Sequence, residues 1–162
     1  SSDVCSSDLT YGLAGLRIGW AATRNRELYE ALASFKDYTT ICNSAPSEYL
    51  AGLALRHKDR LVQRNLEIIK TNLNRLNAFF AGHQDLFAWD PPKAGPIAFP
   101  RYLGGPVDEF CEELRREIGV LLLPGSLYND PNNCFRIGFG RADMARGLDR
   151  LEAYLKERKK SQ

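Results

Sequence analysis

An α/β fold running into a small α+β domain is what this 162-residue sequence predicts, and three observations carry it. The mostly apolar run LRIGWAAT at residues 16–23 reads as a buried strand. Val62, Leu66, Ile69, Leu73, Leu76 and Phe80 recur at spacings of 4, 3, 4, 3 and 4, the single apolar stripe of a long amphipathic helix. Beyond Gly82 the pattern breaks into short apolar runs divided by proline and glycine, in the helix–strand–strand–helix order of an α+β unit.

Within the strand at 16–23, Trp20 is large enough to anchor a core. Asn25 offers a side-chain oxygen to cap the next helix, where Leu28, Leu32 and Phe35 fall at helical spacing. TTICNS, residues 39–44, interrupts the pattern, and Pro46 suits the first turn of a second helix through Tyr49, Leu50 and Leu53. The long stripe ends at Gly82, a residue type that stops helices by entering the left-handed region. Residues 87–89 and 97–102 read as strands around the turn-rich PPKAGP. Val107, Phe110, Leu114 and Ile118 mark a helix that stops at Gly119, and residues 120–123 are a short apolar run before Pro124-Gly125. CFRIGF at 134–139 alternates like a strand, and Met144, Leu148, Leu151 and Leu155 stripe a terminal helix.

Composition excludes several classes. Hydrophobic and charged fractions of 44% and 26% are those of an ordinary globular protein. Lysine plus arginine minus acids is 22 − 20 = +2, which demands no polyanionic partner and argues against nucleic acid. The basic cluster at 156–160 closes the last helix, where positive charge suits the helix dipole. No apolar run approaches a membrane span. Cys42, Cys111 and Cys134 are widely spaced without a C-x-x-C pair, so they indicate free thiols in a cytoplasmic protein and no zinc site. The first nine residues, SSDVCSSDL, show no apolar periodicity and no strand pattern, and they are what a common sequencing adapter encodes on translation. Residues 1–9 are accordingly expected to be an artefact outside the fold, and without Asp3 and Asp8 the balance becomes 22 − 18 = +4.

Two arginines stand out as chemistry-bearing. Arg17 interrupts the apolar stretch GLAGLRIGW, where a buried guanidinium requires a partner, either a carboxylate of the fold or an anionic ligand. Gly12 and Gly15 beside it allow the backbone a tight turn. The glycine pattern lacks the G-K-[ST] ending of a phosphate loop and runs into a strand. Arg136 interrupts the strand CFRIGF after the turn LPGSLY, so it either lines a cleft or reaches solvent at the sheet edge. His57 and His83 stand in polar helix-end contexts and are expected at the surface. Asp108, Glu109, Glu112 and Glu113 read as a solvated helix face, with no metal cluster.

TYGLAGLRIGW, residues 10–20, resembles the segment that follows the cofactor lysine in class I/II aminotransferases. These are fold type I pyridoxal-phosphate (PLP) enzymes of the aspartate aminotransferase fold, and their usual text there is S-x-S-K-x-x-G-L-A-G-L-R-x-G. LPGSLY and FRIGFG resemble later motifs of the same family, in order. The resemblance implies the C-terminal part of that fold. Residues 10–44 would be the end of the PLP-binding large domain, 45–82 connecting helices and 83–162 the small α+β domain.

It also implies roles. Arg17 and Gly12 would bind the cofactor phosphate, and Arg136 would clamp the substrate α-carboxylate. Asn43, in a loop the family places near the active-site entrance, is a substrate-binding candidate, with helix capping the alternative. The lysine that attaches the cofactor and moves the Cα proton belongs at position 9, which is Leu9, so the chain as written is expected to be inactive. The implied activity is amino-group transfer between an amino acid and a 2-oxo acid, by a homodimer. Alternatives are another fold type I reaction, such as decarboxylation, cyclisation or elimination, and the aminotransferase-like effector domain of a transcription regulator.

Overall fold

The structure, a computed structural model, describes residues 3–6 and 11–160, with side chains from Tyr11 to Lys159. It divides into two compact units, residues 1–66 and 67–162. All described strand pairs are antiparallel.

In the first unit β1 (Asp3–Ser6) pairs with β2 (Gly19–Ala22). The expectation that the first nine residues contain no strand is corrected for these four. A backbone hydrogen-bond ladder is made by main-chain groups and can form without apolar alternation. A 3-10 turn, Ala14–Leu16, lies between them. Helix α1 (Arg26–Thr39) starts as expected, with the Asn25 side chain accepting from the Leu28 N–H at 3.2 Å. Helix α2 (Ala45–Arg56) follows with Ser44 at its N-cap and Pro46 in its first turn. Trp20 does not anchor a core: β2 is exposed throughout, and Trp20 is 39% accessible.

Helix α3 (Lys58–Ala81) is continuous through 24 residues and ends before Gly82. Its stripe is buried toward the C-terminus, at Leu76, Phe79 and Phe80, whereas Leu66 is exposed.

The second unit holds the core. β3 (Phe87–Ala88) pairs with β5 (Arg101–Tyr102), while β4 (Ile97–Ala98), β7 (Phe135–Gly138) and β6 (Leu123–Pro124) form a three-stranded sheet with β7 central. The single strand expected at 97–102 is thus two strands in two sheets. They divide at Phe99-Pro100, where Pro100 has no N–H to extend a ladder and its carbonyl accepts instead from the Phe135 N–H at 3.0 Å. Helix α4 (Val107–Ile118) ends on Gly119, whose φ of 63° is left-handed, and α5 (Met144–Lys160) closes the chain.

Phe80, Phe87, Phe110, Phe135 and Phe139 are essentially inaccessible, as are Leu76, Leu114 and Leu155. Aromatic edges and faces fill the centre, with Phe87 within 6 Å of Phe79, Phe80, Tyr102, Phe110 and Phe135 by ring centroid. Two asparagines satisfy the carbonyls and N–H groups that this packing leaves between elements. Asn72 of α3 donates to the carbonyls of Phe139 (2.9 Å) and Arg141 (2.7 Å), tying the end of β7 to the helix. Asn133 accepts from the Val107 N–H at 2.9 Å, capping α4 from a distant loop, and donates to Tyr102 and Gly105. His83 corrects another expectation, for it is buried. Its ring stacks on Phe79, Nδ1 lies 2.9 Å from the Phe79 carbonyl, and Nε2 is 3.6 Å from Glu152.

Candidate functional site

Arg17 follows the 3-10 turn directly and adopts a left-handed backbone, φ 51°, unusual for a residue with a Cβ. The expected burial of its guanidinium is corrected. The side chain is exposed, with Nη1 3.4 Å from the Ala14 carbonyl. A guanidinium has the planar donor fork that matches the oxygens of a phosphate or carboxylate.

Gly12 is also left-handed, φ +66°, and a Cβ there would stand 3.2 Å from the Asn65 Nδ2 of α3. The need for glycine is therefore visible at position 12 without any ligand. Gly15 has open space around it and no such requirement. Leu9 lies outside the described residues. Asn43 is exposed, and its Nδ2 donates to Glu48 Oε1 at 2.8 Å, bracing the first turn of α2 while Ser44 takes the cap position.

Arg136 belongs to the second unit. On β7 the side chains of Phe135 and Ile137 enter the core, so by strand alternation Arg136 and Gly138 take the opposite face. Arg136 is half-buried; it pairs with Leu123 in register, and its Nη1 donates to the Tyr128 hydroxyl at 3.0 Å. The guanidinium carbon lies 6.0 Å from the centre of the Tyr128 ring. Arg136 is also part of the lining of a cleft of about 480 Å³, together with Leu122, Leu148 and Leu151. Arg141, Arg146 and Arg150 line the same cleft against one acid, Asp143, which takes Arg141 in a two-point pair at 3.0 and 3.1 Å. That excess of guanidinium favours anions.

The two buried thiols are held in the protonated form at neutral pH. Burial, reinforced by Asp130, pushes Cys134 up to about 11, and burial pushes Cys111 up to about 12. Among the described residues no cluster of three or more histidine, cysteine or acidic side chains could hold a metal ion, and no helix is long and apolar enough to cross a membrane.

The family model for aminotransferase class I and II matches residues 10–151. The chain belongs to that family. It is 33% identical over 141 residues to capreomycidine synthase of Streptomyces vinaceus, covering 85% of this chain and 36% of the relative. Among solved structures it resembles the PLP-dependent cyclase OrfR, with 35% identity, a TM-score of 0.85 and coverage of 97% of this chain and 43% of OrfR. A PLP-dependent aminotransferase from Streptococcus suis is 31% identical with a TM-score of 0.87, covering 96% and 42%. The chain therefore spans less than half the length of these relatives, and its fold is the C-terminal part of the fold type I architecture.

The family implies pyridoxal phosphate as cofactor. The residues present fit that group only in part. Arg17 has the chemistry of a phosphate partner. Position 9, where the family's lysine belongs, is Leu9, and the first lysine in the sequence is Lys36, whose Nζ donates to the Ile41 carbonyl at 3.2 Å.

Two features of the site escaped sequence reasoning. The bond from Arg136 to Tyr128 was signalled only by an aromatic residue at the end of the PGSLY turn. The arginine-lined cleft was signalled by the Arg141, Arg146 and Arg150 spacing, which reads equally as a solvated helix face.

Proposed function

We propose that the whole protein catalyses PLP-dependent chemistry at the α-carbon of an amino acid, with amino transfer to a 2-oxo acid as the leading reaction. Arg136 carries this reading. It is a half-buried guanidinium on a central strand, and among the described residues its one hydrogen bond goes to a neutral hydroxyl. A carboxylate ligand supplies the charge that such a group otherwise lacks. Arg17 would hold the cofactor phosphate and Gly12 the backbone turn beside it, while Asn43 borders the substrate path. When bound, pyridoxal phosphate supplies an electron sink for the α-carbon. The residues of this chain orient and neutralise; none in the 10–20 segment has the amine that moves the proton. The domain limits at 9, 44 and 82, a homodimer and a cytoplasmic location belong to the same proposal, as does the origin of residues 1–9 in an adapter.

A second reading, cyclisation, is favoured by the two relatives named as a synthase and a cyclase, at 33% and 35% identity. The complete protein, expressed from source DNA and given amino acid substrates, separates the two. Product formation that requires a 2-oxo acid supports transfer, and ring closure independent of it supports the cyclase. For the 162-residue chain itself, pyridoxal phosphate should produce no visible absorbance band of lysine-bound cofactor. Such a band on the Leu9 chain would contradict the reading.

A further inference from the structure

We propose that Tyr128 is a positioning residue for Arg136, fixing which edge of the guanidinium meets a ligand carboxylate. The inference rests on the reading of Arg136 as a carboxylate fork and assigns the group that holds the fork in place.

Four observations converge on it. The Tyr128 hydroxyl accepts from Arg136 Nη1 at 3.0 Å, and its ring centre lies 6.0 Å from the guanidinium carbon, at the outer reach of a cation–π contact, so the hydroxyl is what fixes the Nη1 edge. Phe99 meets the Tyr128 ring edge to face at 5.6 Å, restricting it from another side. The turn that presents Tyr128 is itself tied to β7. The Gly125 N–H donates to the Cys134 carbonyl at 2.6 Å, and a Cβ at Gly125 would stand 2.7 Å from the Cys134 sulfur. The turn closes through Asn129, left-handed at φ 56°, and through the Asp130 N–H to the Gly125 carbonyl at 3.1 Å; Ser126 also donates to Asp108.

Tyr128 and Phe99 are 44% and 47% accessible, so this anchoring is not needed to fill a core. A guanidinium has five N–H donors in a rigid fork. With Nη1 engaged by a neutral acceptor, the Nε and Nη2 edge is left for the two-point grip of a carboxylate. The hydroxyl accepts without contributing charge, so the full positive charge remains for the ligand. A phenylalanine at 128 would keep the ring and release the Nη1 edge.

The test uses the 162-residue chain, with pyruvate as a carboxylate probe and the Arg136 guanidinium followed by NMR. Pyruvate should shift the Arg136 Nε–H resonance saturably, and Arg136→Gln should abolish saturable binding. Tyr128→Phe should weaken pyruvate about 2- to 10-fold, as expected for one hydrogen bond, and should speed rotation about Nε–Cζ in the free protein while leaving thermal unfolding unchanged. Saturable, Arg136-dependent binding with no change in affinity or rotation in Tyr128→Phe would overturn the positioning role and leave the carboxylate reading standing. Absence of any Arg136-dependent binding in the unsubstituted chain would overturn both.

Discussion

The two units carry the same kind of amphipathic pattern and use it differently. In the second unit the stripes of α4 and α5 pack on the phenylalanine centre, fully buried at Val107, Phe110, Leu114, Leu151 and Leu155 and partly buried at Ile118, Met144 and Leu148. In the first, the stripe of α1 is present in full, yet Leu28, Leu32 and Phe35 are 39%, 43% and 66% accessible, and Ala51 and Ala54 are the only buried side chains among the described residues. Periodicity therefore fixes which face of a helix is apolar, and burial depends on a second surface that periodicity does not supply. The free energy of burial follows the area removed from water, so the stability of the chain is concentrated in the second unit.

The sharpest break of that contrast is Phe135→Ala. Truncating a fully inaccessible phenylalanine at the centre of the sheet should cost about 3–5 kcal/mol and unfold the second unit at much lower denaturant, read by the fluorescence of Trp89, which stacks on Phe80. Thiol labelling comes next. In a Cys5→Ser background exposed Cys42 should react at once, and Cys111 about 100-fold more slowly, equivalent to about 2.7 kcal/mol; equal rates would show the core open. Burial raises Cys111 from its ordinary 9.0 to about 12, so the stability gained by keeping it neutral is whole below pH 9.0 and is lost as pH rises toward about 12. The melting temperature of the second unit should fall over that range, and less so in Cys111→Ala.

Asn72→Ala should cost about 1–3 kcal/mol, because the carbonyls of Phe139 and Arg141 lose their donor. Gly12→Ala should cost about 1–2 kcal/mol of local order in the first unit, seen as faster hydrogen exchange near residue 12, whereas Gly15→Ala should cost nothing. The smallest effect is expected of Phe35→Ser, within about 0.5 kcal/mol; a loss as large as that of Phe135→Ala would show that α1 is buried in solution.

What could be read in the sequence follows the same division. Helix limits were legible wherever a cap chemistry marked them, as at Asn25, Pro46 and Gly119. Burial was legible for Leu114 and Leu155, which have partners, and illegible for Trp20, whose size indicates a core residue only if a core is adjacent. The break at Pro100 was available in the missing N–H and hidden by the apolar residues around it. His83 reads as polar at a helix end, and only its stacking on Phe79 makes it interior. Arg17 and Arg136, the two arginines proposed for the site, stand out in the sequence because charge in an apolar run demands an explanation. Tyr128 does not, since its bond depends on how a turn folds back across a strand.

Helix α3 carries a consequence for how order spreads along the chain. A helix forms its first turn at a net loss and extends cheaply afterwards. The turn around Leu76 to Phe80 is locked by the aromatic centre, which supplies a formed turn for the 18 residues of α3 that precede it over a length of about 27 Å. Amide protection along α3 should then form a gradient, highest near Leu76 and fading toward Lys58, with the exposed half kept helical by a seed it does not itself contain.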